Sequence, residues 1–131
     1  MILVIDDDPL QIRYYVEELR SRGLRVVVAG SVAEARRWLR SETPSLVVLD
    51  VRLPLFAPGD LPPTECEHTM VSGLTLLREI RQQDPELPVI LFTALSDGGA
   101  AMGLDSNTRL LRKEDVLPHE LADLVQAALL G

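Results

Sequence analysis

What this chain lacks already narrows its class. One cysteine, Cys66, in 131 residues excludes a disulfide framework and fits a reducing compartment. Thirteen basic side chains against 20 acidic ones give a net charge of −7. That leaves no basic face for a phosphate backbone and excludes a generic nucleic-acid binder. Long apolar runs are missing as well. The opening run Met1 to Ile5 stops at Asp6-Asp7-Asp8, far short of a signal peptide or a membrane span. Lysine is almost absent: 12 of the 13 basic residues are arginine, and Lys113 stands alone. A position that keeps lysine in such a chain is a candidate for a compact point charge rather than a planar fork. What is present, 47% hydrophobic and 25% charged residues, suits one domain with one core rather than a disordered segment. The expectation is a small, soluble, acidic and cytoplasmic domain.

Short apolar runs alternate with helical patterns. Ile2–Ile5 reads as a strand buried on both faces, and Asp8-Pro9 follows as N-cap and first helical residue. Ile12, Val16 and Leu19, with Tyr15 beside them, form a helical stripe ending before Gly23. Arg25–Ala29 reads as a second strand. Ser31-Val32-Ala33-Glu34 reads as a capping box opening a helix to about Arg40, with Ala35, Trp38 and Leu39 inward. Leu46–Leu49 is a third strand, Gly73 to Gln83 a helix and Val89–Phe92 a fourth strand. A shorter fifth strand lies near Arg109–Arg112, and a last helix runs from Pro118 through Leu129. A helix between strands four and five is the weakest element, because Gly98, Gly99 and Gly103 fall in it. Such alternation predicts an α/β domain, a parallel five-stranded sheet covered by helices on both faces. The stretch 55–71, with Gly59, Pro58, Pro62 and Pro63, has no period and is long for a connection.

Ligands of open parallel sheets bind at the carboxyl ends of the strands. Strand one ends at Asp6-Asp7, strand three at Asp50, strand four at Thr93 and strand five at Lys113. Two carboxylates about 4 Å apart repel by roughly 4 kcal/mol at an effective dielectric of 20, so three need compensation. One Mg²⁺ together with the Lys113 ammonium balances them, and hard oxygen ligands suit that ion. A carboxylate is also a competent nucleophile toward phosphorus. Acidic residues can merely cap helices, as Asp8 is expected to do, but capping does not explain polar residues ending four different strands.

These residues carry a resemblance. Val4-Ile5-Asp6-Asp7-Asp8, Leu46-Val47-Val48-Leu49-Asp50-Val51-Arg52-Leu53-Pro54, Phe92-Thr93-Ala94 and Leu111-Arg112-Lys113 resemble the receiver domain of two-component response regulators. The resemblance spans residues 1–131 apart from an atypical insertion at about 55–71. It implies a doubly wound, flavodoxin-like sheet of strand order 2-1-3-4-5. It implies Asp50 as phosphoacceptor, with Mg²⁺ held by Asp6, Asp7, Asp50 and the backbone carbonyl of Arg52. Thr93 and Lys113 would contact the phosphoryl group, Ala94 would leave room for the donor, and Thr93 and Leu110 would occupy the switch positions. It also implies a sensor histidine kinase or histidine phosphotransfer protein as donor, and a downstream protein target or fused output domain. No direct nucleic-acid or membrane contact is implied, while homodimerisation is compatible with it.

Three departures stand out. Glu114 follows Lys113 where the family has proline after a cis peptide, so a trans bond is expected there. Leu110 stands where an aromatic is common. Gly73 lies some 15 residues further from the phosphoacceptor than the family's glycine. Two other readings compete. A phosphorylation-independent pseudo-receiver would keep the fold without the switch. A haloacid-dehalogenase-like phosphohydrolase would use Asp6 and Asp8, but leaves Asp50 without a role. Glu65-Cys66-Glu67-His68 lacks the spacing of a structural zinc site and reads as an ordinary polar loop. Tyr15 and Trp38 read as core, His119 as a solvated surface residue, and Arg109 and Arg112 as surface charges.

Overall fold

Burial on both faces is what turns the apolar runs into strands of one parallel sheet. The computed structural model describes residues 1–54, 68–69, 72–94 and 105–130. Its elements are β1 (Ile2–Ile5), α1 (Pro9–Ser21), β2 (Val26–Ala29), α2 (Val32–Ser41), β3 (Leu46–Leu49), β4 (Leu53–Pro54), β5 (His68–Thr69), α3 (Ser72–Gln83), β6 (Val89–Thr93), β7 (Thr108–Arg112) and α4 (Pro118–Leu130). The main sheet is parallel, in the order β2-β1-β3-β6-β7. That is the 2-1-3-4-5 order expected, once the short β4–β5 pair is set aside. The second strand starts at Val26 rather than Arg25, whose carbonyl instead accepts from the Ile2 N–H at 2.8 Å. The helix expected around Gly98, Gly99 and Gly103 lies outside the described residues.

The two faces sort by strand alternation. Leu3, Ile5, Val47, Leu49, Val89 and Leu91 pack against Val32 and Ala35 of α2 and Leu76, Leu77 and Ile80 of α3, with half-buried Trp38 at the margin. Ile2, Val4, Leu46, Val48, Ile90 and Phe92 pack against Ile12, Val16 and Leu19 of α1 and Leu121, Ala122 and Val125 of α4. Each fully buried aliphatic side chain contributes about 1.5–3 kcal/mol.

Local chemistry sets the helix starts. The Asp8 carboxylate accepts from the Gln11 N–H at 3.0 Å, with Pro9 opening α1. Ser31 caps α2 through the Glu34 N–H at 3.1 Å, and Glu34 reaches back to the Gly30 N–H at 3.0 Å. The reciprocal bond of the expected box thus closes one residue earlier than Ser31. After α1, Gly23 turns the chain at φ +83°, a conformation that suits glycine.

Arg81 at the end of α3 locks the opposite end of the sheet. Its guanidinium donates to the carbonyls of Leu87 at 2.6 Å and Asn107 at 3.0 Å, to Thr108 Oγ1 at 2.8 Å and to Asp105 Oδ2 at 2.8 Å. Only a planar fork reaches acceptors on three segments at once. Arg81→Lys is therefore expected to cost about 1–3 kcal/mol in chemical denaturation, because a buried acceptor is left unpaired. Burial tends to raise the Asp105 carboxyl. Bonds from the Asn107 N–H, Arg81 and Thr108 outweigh that and hold it below the ordinary 3.8. A depressed carboxylate stabilises the fold above its unfolded value and loses that contribution as pH falls through the folded one. The stability gap between wild type and Asp105→Asn should thus be steady at neutral pH and close below about 3.8.

Candidate functional site

Register alone gathers the polar residues. Ile5 pairs with Leu49, so Asp6 and Asp50 leave adjacent strands side by side, and the Asp50 N–H donates to the Ile5 carbonyl at 2.9 Å. Thr93 pairs with Arg112, one residue before Lys113. Asp6, Asp50 and Thr93 are buried, Asp7 is exposed, and Ala94 is exposed beside Thr93.

At the centre, Lys113 Nζ donates to Asp6 Oδ2 at 2.6 Å, Gln11 Oε1 at 2.9 Å and Asp50 Oδ2 at 3.1 Å. One carboxylate oxygen from each of Asp6, Asp7 and Asp50 lies within 4.8 Å of the others. Burial pushes the Asp6 carboxyl above 3.8 and the Asp7 charge adds to this, against the pull of Lys113 and the Asp8 N–H. Burial, then the charge of Asp6, raises Asp50 likewise, opposed by Lys113 and by the Arg52 N–H that Asp50 accepts. Burial works against the Lys113 ammonium, but Asp6 and Asp50 outweigh it and hold it above 10.5. One ammonium therefore does not neutralise the three acids. Three hard oxygen donors with excess negative charge and one exposed member fit a divalent cation such as Mg²⁺.

The sheet edge thus assembles Asp6, Asp7, Asp50, Thr93 and Lys113 as the sequence implied. A family model for the response regulator receiver domain matches residues 2–113. The chain belongs to that family. It is 36% identical to the DNA-binding transcriptional regulator NtrC of Escherichia coli over 103 residues, 78% of this chain and 19% of NtrC. It is 34% identical to the transcriptional regulatory protein AfsQ1 of Streptomyces coelicolor over 107 residues, 81% of this chain and 40% of AfsQ1. The receiver therefore spans less than half the length of these curated relatives. The crystal structure of the NtrX receiver domain from Brucella abortus superposes with a TM-score of 0.73 at 25% identity, covering 98% of each chain.

Several residues are placed differently from, or more sharply than, their sequence reading. Asp8 caps α1 through the Gln11 N–H and is exposed, whereas Asp6 is buried and paired with Lys113. The peptide after Lys113 is trans, as expected with Glu114 in place of proline. Leu110, at the switch position where an aromatic is common, is half-buried against the core. His119 is exposed, as are Arg109 and Arg112. Glu65, Cys66 and Glu67 lie outside the described residues, and His68 belongs to β5. Two contacts had no sequence signal: Gln11 on Lys113, and Tyr15, whose hydroxyl donates to the Val116 carbonyl at 2.5 Å.

Gly73 explains how an insertion is reconciled with this site. Its N–H donates to the Val51 carbonyl at 2.8 Å, and a Cβ there would lie 2.1 Å from the Asp50 carbonyl oxygen. The chain returns to that point through β4–β5, where Leu53 pairs with Thr69 and Pro54 with His68. Residues 68–69 are thus a strand within the stretch expected as an unbroken loop.

Proposed function

We propose that residues 1–131 form a cytoplasmic receiver, with an insertion after the phosphoacceptor strand, that accepts a phosphoryl group on Asp50 and thereby changes its affinity for a protein partner. The donor is a sensor histidine kinase or a histidine phosphotransfer protein. The output is a separate target or a domain fused to it, since NtrC and AfsQ1 are longer regulators. The observation that carries this reading is the Lys113 ammonium shared by Asp6 and Asp50, beside the exposed Asp7. No helix among the described residues is long and apolar enough to cross a membrane.

Asp6, Asp7, Asp50 and the Arg52 carbonyl would hold Mg²⁺, which supplies charge neutralisation for the carboxylates and the transferring phosphoryl oxygens. An Asp50 carboxylate oxygen attacks phosphorus as the bond to the donor breaks and the donor leaves with its electron pair. Lys113 then faces the phosphoryl oxygens, and the Thr93 hydroxyl donates to one of them. Thr93 and Leu110, on neighbouring strands β6 and β7, form the pair through which that bond reaches the surface. The receiver's own chemistry is limited to gaining and losing this group. Incubation with Mg²⁺ and acetyl phosphate should add one phosphoryl group by intact mass, and chelation should prevent it. No uptake under either condition would favour a phosphorylation-independent binding module.

Residues 55–67 connect β4 to β5 and carry Asp60, Glu65 and Glu67 but no basic residue. We assign them to partner selection rather than chemistry. Replacing 55–67 by a tight turn, with β4 and β5 retained, should leave acetyl-phosphate labelling within about twofold and change transfer from the cognate kinase or binding of the target. Loss of labelling in a folded variant would place the segment in the active site.

A further inference from the structure

Lys113 is gripped from α1 at two points. Gln11 has its backbone N–H pinned by Asp8 at 3.0 Å, so its side chain leaves from a fixed origin. Its Oε1 accepts from Lys113 Nζ at 2.9 Å, and the amide orientation follows from chemistry, since an ammonium only donates. One turn later the Tyr15 hydroxyl lies 2.5 Å from the Val116 carbonyl and 3.3 Å from the Lys113 carbonyl. The Tyr15 ring stands edge-on to Phe92, centroids 4.9 Å apart, next to Thr93. Gln11 therefore takes the tip of the lysine and Tyr15 the main chain that carries it. The segment needs such a hold. Lys113–Asp115 is a single 3₁₀ turn with no side-chain cap, and no proline lies between Lys113 and Leu117.

Geometry gives the purpose. An ammonium has three N–H donors. Here they are divided among Asp6, Asp50 and Gln11. With Asp6 and Gln11 occupying two, the third is directed at Asp50. We propose that Gln11 and Tyr15 are positioning residues that hold Lys113 with one N–H aimed at the phosphoryl group on Asp50. This rests on Asp50 being the phosphoacceptor, and it adds a tripod that carboxylate attraction alone does not define.

Gln11→Leu and Tyr15→Phe test it, since Gln11 is exposed and phenylalanine keeps the packing on Phe92. With acetyl phosphate, the maximal labelling rate should fall about three- to tenfold in each, as expected for loss of one bond to a charged group or its support. Half-saturating Mg²⁺ should stay within about twofold, because neither residue is a ligand. A second readout uses the composition: Lys113 is the only lysine, so isotope-labelled lysine yields a single side-chain ammonium resonance. That resonance should broaden through faster exchange with water in both variants. Wild-type labelling rates in both variants overturn the proposal, as does a rate loss matched by an equal loss of Mg²⁺ affinity. If the wild type itself takes no phosphoryl group, it is the Asp50 assignment that fails. The resonance then decides the tripod separately, and its indifference to both substitutions overturns it.

Discussion

Asp50→Asn abolishes uptake of a phosphoryl group from acetyl phosphate in the presence of Mg²⁺, with intact mass as the measurement. The amide lacks the anionic oxygen that forms the new bond to phosphorus, and it contributes a weaker ligand to the metal. Folding should survive. Asp50 is buried beside Asp6, and both carboxyls are held above their ordinary value by burial. Removing one charge relieves part of that conflict, and the amide oxygen can still accept from Lys113 or the Arg52 N–H. The metal-free variant should therefore be at least as stable as the metal-free wild type, and should lose most of the stabilisation that added Mg²⁺ gives. Label that persists in Asp50→Asn would move the phosphoacceptor elsewhere.

Gly73→Ala should be the most damaging conservative change in the described residues. The new Cβ would lie 2.1 Å from the Asp50 carbonyl oxygen, 2.7 Å from Val51 Cα and 2.9 Å from the Val51 carbonyl oxygen. All three are backbone atoms of the segment that presents the nucleophile, so no side-chain rotation relieves the contact. Either α3 retreats or the end of β3 bends. Retreat would disturb Leu76, Leu77 and Ile80, all buried against the sheet, and break the Gly73–Val51 hydrogen bond. The expected cost is roughly 2–4 kcal/mol, at or above the usual range for overpacking because backbone must move. Labelling should slow even where the variant is fully folded, since Asp50 is displaced. A denaturation midpoint equal to wild type would contradict the contact.

Much of this was legible in the sequence, for a definite reason. Strands buried on both faces read as unbroken apolar runs, so the residue that ends each run is conspicuous. Asp6, Asp50, Thr93 and Lys113 were found that way, and parallel pairing then placed them together. Tyr15 and Gln11 were not found. Tyr15 sits on the apolar stripe of α1 and reads as core, while Gln11 reads as one more exposed polar side chain. Their bonds to Val116 and Lys113 cross 101 and 102 positions, a separation no local pattern carries. Gly73 could be matched by type, but its necessity comes from a backbone approach that only the tertiary structure shows. The β4–β5 pair escaped because two residues per strand are too few for a period to register.

That pair also fixes what the chain can accommodate. Leu53 opposite Thr69 and Pro54 opposite His68 bring the two ends of the excursion together before it reaches Gly73 and the nucleophile. The two ends of residues 55–67 are thereby held one strand pair apart, so a change in that segment's length need not move β4, β5 or Gly73. Loop-closure entropy rises only by about 0.6 kcal/mol for each doubling of length. The strand pair is accordingly a port, where evolution or an engineer can graft an epitope, a tether or a whole folded module at modest thermodynamic cost.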